Sequence, residues 1–390
     1  MFTRQLCIPL EQHKSFFLLG PRGTGKTTWL HQKVPAALFI NLLRAEFYLP
    51  LAANPAHLRQ LIPPQHSDWI VIDEIQRVPQ LLNEVHDLIE SSGHAFILTG
   101  SSARKLRGNS VNLLAGRAVT YHMHPLTAAE QGPSFVLTDS LRLGNLPARF
   151  NEADPARYLR DYVQTYPREE VPQEGLTRNI GQFSRLLETA SFSQGSVLNI
   201  SDVARDAHIH RAVTESYFSI LEDLLIATRL PPFTRRAKRQ LINHRKFYYF
   251  DTGVYRTHRP TRLAGGDRRT RTGNAGPQGT TGPQRLPQPR LRNIFWRTKH
   301  GLEVDFVLYG SRGLIAIAIK RSATVNSADL RGLKAFRSDY PEASCVLLYG
   351  GEQPLFIDGI RALPLDQAIR SLATLLTQDL ASETLSIPSP

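Results

Sequence analysis

The chain has 390 residues, with 47 Lys and Arg against 34 Asp and Glu, and only two cysteines, which suits two or three domains at ~100–200 residues each. Two cysteines cannot form a disulfide framework, no apolar run reaches the ~18 residues of a membrane span, and MFTRQLCIPLEQHKS lacks a signal-peptide layout, so a cytoplasmic setting with no membrane contact is expected. The net charge of +13 is concentrated in residues 241–299, which hold 13 basic and 2 acidic groups, and this excludes a general polyanion-coating surface.

Taken in chain order, Ser15–Leu19, Ala37–Asn41, Trp69–Asp73, Ala95–Thr99 and Ala118–His122 read as strands, being short apolar runs bounded by polar residues. Between them, PQLLNEVHDLIESSG sets Leu81, Leu82, Val85, Leu88 and Ile89 on one helical face and ends in a Gly93 stop. Strand–helix alternation of this kind predicts an α/β domain with a parallel sheet and helices on both faces. Residues 155–230 read as helical, with no strand before Phe247–Phe250. Residues 258–291, rich in Gly, Pro and Arg, hold no Val, Ile or aromatic residue and cannot bury a core. Beyond them IFWRT, VDFVLY, LIAIAI and ASCVLLY return as strands, with an amphipathic helix near Ala328–Phe336. The tail past Leu376 is expected to fray.

The sharpest signal is Gly20-Pro21-Arg22-Gly23-Thr24-Gly25-Lys26-Thr27-Thr28, the phosphate-loop (Walker A) pattern, with a strand before it and a helix after it. Glycines let backbone N–H groups wrap a phosphate, the helix N-terminus favours the anion, Lys26 reaches the β- and γ-phosphates, and Thr27 ligates Mg2+. WIVIDE ends a buried strand in two acids, the Walker B pattern. There Asp73 would hold Mg2+ through water and Glu74 would polarise the attacking water. FILTGSS ends the next strand in hydroxyls, so Thr99 and Ser101 are candidate γ-phosphate sensors, with N-capping by Ser101 or Ser102 as the bland alternative. Arg117 is a candidate arginine finger toward a neighbouring copy, or a solvated charge.

Two weaker constellations follow. Residues 182–250 read as a winged helix: QFSRLLETASF, then SDVARDA capped by Ser201, then RAVTESYFSILEDLLIA. Val213, Tyr217, Ile220, Leu221, Leu224 and Leu225 would form the buried face of the third helix. Arg211 and Thr214 would lie on its exposed face, with acids outnumbering the base. Any DNA contact would then fall to Arg235, Arg236, Lys238, Arg239, Arg245 and Lys246, where a wing would lie. The last segment has a nuclease-like layout, with Glu303 and Asp305 on one strand face, Val304 and Phe306 on the other, and Lys320 on the next strand. Ala318 stands where a second metal-binding carboxylate is needed, so cleavage is not expected.

Together GPRGTGKTT, WIVIDEIQRVP, FILTGSSARKL, LAGRAVTYHMHPLTAAE, GNLP, LRDYVQTYPREEV, FYYFDTGV and FWRTKHGLEVDFVL resemble the bacterial and archaeal AAA-type P-loop ATPases that carry a C-terminal domain of unknown function. The resemblance runs from about Lys14 to Tyr255 and from Ile294 to near Gly351. With the reading along the chain it gives an expected ATPase domain over 1–130, a helical, winged-helix-like region over 131–257, a linker over 258–291, a degenerate endonuclease-like α/β domain over 292–376 and a tail over 377–390. The family carries an apolar helix where this chain has residues 258–291, and that tract is either a genuine linker or the product of a shifted reading frame. The resemblance implies ATP binding and hydrolysis with Mg2+ as a switch or small motor. An ATP-dependent DNA-binding regulator with little turnover is the alternative, and a homo-oligomer is a candidate state.

Overall fold

Five of the apolar runs become the strands of one parallel sheet: β1 (Phe16–Leu19), β2 (Leu38–Asn41), β3 (Ile70–Asp73), β4 (Phe96–Gly100) and β5 (Val119–His122), in the spatial order β2-β3-β4-β1-β5. The computed structural model describes residues 2–102, 114, 117–173, 179–235, 238–259, 292–310 and 313–371. Alternation along each strand feeds two cores. Phe17, Leu19, Ile70, Ile72, Phe96 and Leu98 pack on one face, and Phe16, Leu18, Val71 and Ile97 on the other. Helix α1 (Lys26–Lys33) buries Trp29 and Leu30, and α2 (Ala45–Ala53) and α3 (Leu58–Leu61) follow β2. The expected amphipathic helix is α4 (Leu81–Ser92), which buries Leu81, Leu82, Val85 and Leu88 and ends at Gly93 in the left-handed region. Helix α2 has no sequence signal because Pro50 interrupts it.

Next come α5 (Ala128–Gln131), α6 (Leu137–Leu143), α7 (Pro155–Gln173), α8 (Ile180–Ser191), α9 (Ile200–Ala207) and α10 (Arg211–Asp223). The two-stranded sheet of β6 (Ala227–Leu230) and β7 (Lys246–Tyr249) and then α11 (Thr252–His258) complete this stretch. Four expectations need correction. Strand β6 lies inside the stretch read as helical, because Leu225 takes φ 58° and ends the α10 turn. Asn199, not Ser201, caps α9, its Oδ1 accepting the Ser201 N–H at 3.0 Å. Val213 is 37% exposed, whereas Thr214 is buried with its hydroxyl donating to the His210 carbonyl at 3.2 Å. Phe218, unremarked in the sequence, is fully buried.

The remaining strands form a six-stranded mixed sheet of β8 (Arg292–Arg297), β9 (Glu303–Gly310), β10 (Gly313–Lys320), β11 (Ala343–Tyr349), β12 (Leu355–Ile357) and β13 (Ile360–Pro364), ordered β12-β13-β11-β10-β9-β8. Helix α12 (Arg331–Asp339) lies between β10 and β11 in the chain, and α13 (Leu365–Arg370) follows β13. Both faces of β10 are covered. Ala316 and Ala318 pack with Leu333 and Phe336 of α12, and Ile315, Ile317 and Ile319 pack with Tyr248 and Leu365. Val304 and Phe306, expected on one face, join opposite cores. The β8–β9 register shifts between Ile294 and Trp296, which breaks the two-residue period there.

In space the residues fall into two units, one drawn from 1–126, 146–183 and 215–227 and the other from 127–145, 184–214 and 228–390. This division runs across the boundaries expected near residues 130 and 257. Residues 260–291 and the tail from 372 lie outside the described residues. No described helix is long and apolar enough to cross a membrane.

Candidate functional site

The loop between β1 and α1 is built by close approach and by backbone handedness. A Cβ on Gly20 would sit 2.3 Å from the Met123 carbonyl oxygen, so only glycine lets β1 turn there. Gly25 takes φ 88° as the N-cap of α1, a conformation glycine adopts without strain. Thr24 is buried and its hydroxyl donates to the Pro21 carbonyl at 2.8 Å, which closes the loop from inside. The first turn of α1 then presents N–H groups that have no partner within the helix, at its positive end. The Lys26 Nζ is buried in the turn, donating to the carbonyls of Gly20 at 2.6 Å and Pro21 at 3.3 Å. Arg22 and Thr28 are exposed and Gly23 is half-buried.

Strand β4 lies between β1 and β3, and this order brings the remaining candidates together. Asp73, at the end of β3, accepts the Thr27 hydroxyl on Oδ2 at 3.0 Å and the Thr99 hydroxyl on Oδ1. Glu74 follows at φ 62°, the left-handed region that costs a non-glycine residue about 1–2 kcal/mol. Its N–H donates to the Thr99 hydroxyl oxygen at 3.3 Å. The Glu74 Oε2 accepts from the Gln76 side-chain amide and from the Ser101 hydroxyl, and the same Gln76 amide donates to Ser101 Oγ at 2.9 Å. Gln76 is a site residue that sequence reasoning missed. Its place two residues after the acidic pair was the available signal. The donor set of hydroxyl and carboxylate oxygens around Thr27 and Asp73 is of the hard type that suits Mg2+.

Beside the loop lies a cavity of about 340 Å³, lined in part by Arg4, Thr28, Trp29, Gln32 and Asn151. Arg4 donates to the His124 carbonyl. The His124 Nε2 is buried without a hydrogen-bond partner, and burial, reinforced by His122 and Arg4, lowers the imidazole pKa to about 3. The Tyr162 hydroxyl donates to the Arg22 carbonyl of the same loop at 3.0 Å. Tyr162 in turn stacks on Tyr166 with ring centroids 5.2 Å apart. Arg117 pairs with Glu90 on the surface of its own unit, so its partner within this chain is a carboxylate and not the phosphate loop. The stretch 103–113, where Ser101 or Ser102 would cap a helix, lies outside the described residues.

The basic run 235–246 needs correcting as a DNA surface. Lys246 is fully buried, paired with Glu303 and with Asp305 at 3.3 Å, and cannot reach a phosphate. Burial alone would lower its pKa, but Tyr248, Asp305 and Glu303 raise it on balance, so it stays charged. Arg239 donates from Nε to both oxygens of Asp339, at 2.9 and 3.1 Å. Arg235 lies over the Tyr309 ring at 4.8 Å from its centroid and donates to the Tyr309 hydroxyl at 2.8 Å. Lys238 and Arg245 are exposed, and Arg236 lies outside the described residues.

Residues 12–131 match the family model of the AAA domain. The N-terminal segment is an AAA domain. After it, residues 139–263 and 285–368 match two domains of unknown function, DUF8612 and DUF4143. The AAA domain with two such domains behind it agrees with the resemblance read from the motifs. A search of curated proteins gave no match. Among solved structures, the chain aligns with the Aeropyrum pernix ORC2 protein (ADPNP-ADP complexes) at 12% identity, covering 57% of this chain and 83% of that one, with a TM-score of 0.26. The Aeropyrum pernix ORC1 protein in complex with DNA aligns at 14% identity, 63% and 86% coverage and a TM-score of 0.23. Pif1 helicase from Candida albicans aligns at 17%, 40% and 45%, with a TM-score of 0.21. Scores this low support no statement about function.

Proposed function

We propose that the AAA domain binds ATP with Mg2+ on residues 20–28 and hydrolyses it, the chain working as a switch or small motor. The observation that carries this reading is the meeting of Thr27 and Thr99 on the two oxygens of Asp73, because it joins the phosphate loop, the acidic strand end and the hydroxyl strand end at one carboxylate. The N–H groups of the loop and Lys26 bind the phosphates, with the Lys26 ammonium moving from the Gly20 and Pro21 carbonyls onto the β- and γ-phosphates. Thr27 and Asp73 would hold Mg2+, which would neutralise phosphate charge. Glu74 accepts the proton of the attacking water, and Gln76 and Ser101 fix the direction of its carboxylate.

Steady-state phosphate release with Mg2+ and ATP tests the reading. Lys26→Ala should lose nucleotide binding, while Glu74→Gln should keep it and lose turnover by about 10²–10⁴-fold. Parent-rate hydrolysis by Glu74→Gln would remove Glu74 as the base. The alternative, a DNA-binding regulator gated by ATP, draws support from the exposed Lys238 and Arg245 and from the helix–helix–helix–sheet order over 180–249 that a winged helix has. DNA that raises the ATPase rate, with binding that falls steeply with salt, favours it. Cys7 and Cys345 are both free thiols, in keeping with a cytoplasmic setting.

A further inference from the structure

An endonuclease-like domain would hold a divalent cation at Glu303 and Asp305, and the groups around this pair do not fit one. Glu303 Oε1 is ion-paired with Lys246 Nζ, and Oε2 lies 3.1 Å from an Arg297 guanidinium nitrogen. Asp305 Oδ1 lies 3.3 Å from the same Lys246 Nζ, and Oδ2 accepts the Ile319 N–H at 2.9 Å. All four carboxylate oxygens therefore face donors that belong to the fold. Lys246 itself has 0% of its side chain exposed and lies 5.2 Å from the centre of the Phe295 ring. Ala318 lines the same cavity of about 430 Å³ and offers no oxygen, and Lys320 turns to Asp329 at 3.9 Å.

We propose that the buried ammonium of Lys246 stands in the C-terminal unit where a divalent cation would stand in a nuclease, so that Glu303 and Asp305 take no Mg2+ or Mn2+ and this unit cleaves no DNA. Two carboxylates against Lys246 and Arg297 form a neutral set. Adding a doubly charged ion there would place it within a few ångströms of two fixed cations. An ion that took the two carboxylates from Lys246 would leave a buried ammonium without its partners, which is costly. The pair is thus an internal electrostatic clamp joining β7 to β9. The nucleotide site plays no part in it.

The test uses the purified full chain without nucleotide. Mn2+ binding followed by electron paramagnetic resonance should be identical in the parent and in Asp305→Asn, and neither should nick plasmid DNA in Mg2+ or Mn2+. Melting provides the second readout. Lys246→Met should lower Tm by on the order of 10 °C, because two carboxylates lose their shared cation. Lys246→Met combined with Asp305→Asn should recover much of that loss, since Glu303 keeps Arg297 and the site is neutral again. Mn2+ binding or plasmid cleavage that vanishes in Asp305→Asn overturns the proposal, and so does an unchanged Tm in Lys246→Met. If Lys246→Met does not fold, the comparison of the parent with Asp305→Asn still decides the metal question.

Discussion

Asp73 holds the two hydroxyls together, and its substitution should therefore act on more than metal binding. Asp73→Ala leaves Thr99 without an acceptor it now has and removes the carboxylate beside Thr27. Loss of Mg2+-dependent ATP binding is the expected outcome, measured by titration with a fluorescent nucleotide. Gln76→Ala removes one of the two side-chain donors to the Glu74 carboxylate, leaving Ser101 as the other and Thr27 and Asp73 in place. It should lower kcat by about tenfold with little change in nucleotide affinity, as expected for a group that positions the base without binding substrate. A different residue contributes to acid stability in this unit. The His124 imidazole binds its proton near pH 6.5 when unfolded but only near 3 when folded, so the unfolded state binds more protons between those values. Its contribution is therefore complete above pH 6.5 and is lost as pH falls toward 3. Melting temperature should decline through this window, and His124→Phe should flatten the decline.

At the scale of elements, the sheet order explains why residues from three strand ends meet. With β4 between β1 and β3, Thr99 is the neighbour of both the phosphate loop and Asp73. The Tyr162 hydroxyl ties α7 to the same loop through the Arg22 carbonyl. Tyr162→Phe removes that one bond and keeps the ring stack on Tyr166, so a loss of about 1 kcal/mol in stability and a several-fold weaker grip on ATP are expected, read by melting and by titration. A second junction lies in the other unit. Asp251, fully buried, accepts the N–H groups of Gly253 at 2.8 Å, Val254 at 3.1 Å and Asn145 at 2.6 Å. It thereby caps α11 and fastens it to the chain after α6. Asp251→Ala should cost roughly 2–4 kcal/mol in urea unfolding, because three buried donors lose their acceptor.

For the whole molecule the decisive quantity is where positive charge reaches solvent. The concentration of charge after residue 241 made 235–246 look like one basic surface, yet three of its six cations are engaged by Glu303, Asp305, Asp339 and Tyr309. Only Lys238 and Arg245 are exposed without such a role among its described members. Replacing these two by alanine should reduce the salt slope of any DNA binding by about 2 and leave ATP affinity unchanged. Replacing Lys246 should not alter the slope. A slope that tracks Lys246 and ignores Lys238 and Arg245 would place the DNA contact elsewhere.

The sequence alone determined the AAA sheet and its loop. Each of its strands is a short apolar run closed by polar residues, and Gly20–Thr28 is legible from local needs, handedness at Gly25 and an ammonium and a hydroxyl at set offsets, whereas the close approach of Met123 to Gly20 belongs to the fold. Helices α4, α9 and α12 were legible for a similar reason, because one buried face repeats along each. Tertiary structure decided whatever depends on a partner far along the chain. Gln76 is a glutamine after an acidic pair until Ser101 arrives from the next strand to share it. Val304 and Phe306 part company because the neighbouring strand shifts register. Lys246 shows the difference most sharply. Read along the chain it is the last cation of a basic run, and only the pairing of Glu303 and Asp305, 57 and 59 residues later, turns it inward. A charge is a surface feature by local rules, and burial reverses that only where opposite charges are brought to meet it. That meeting is a property of the fold and leaves no mark on the residues beside it.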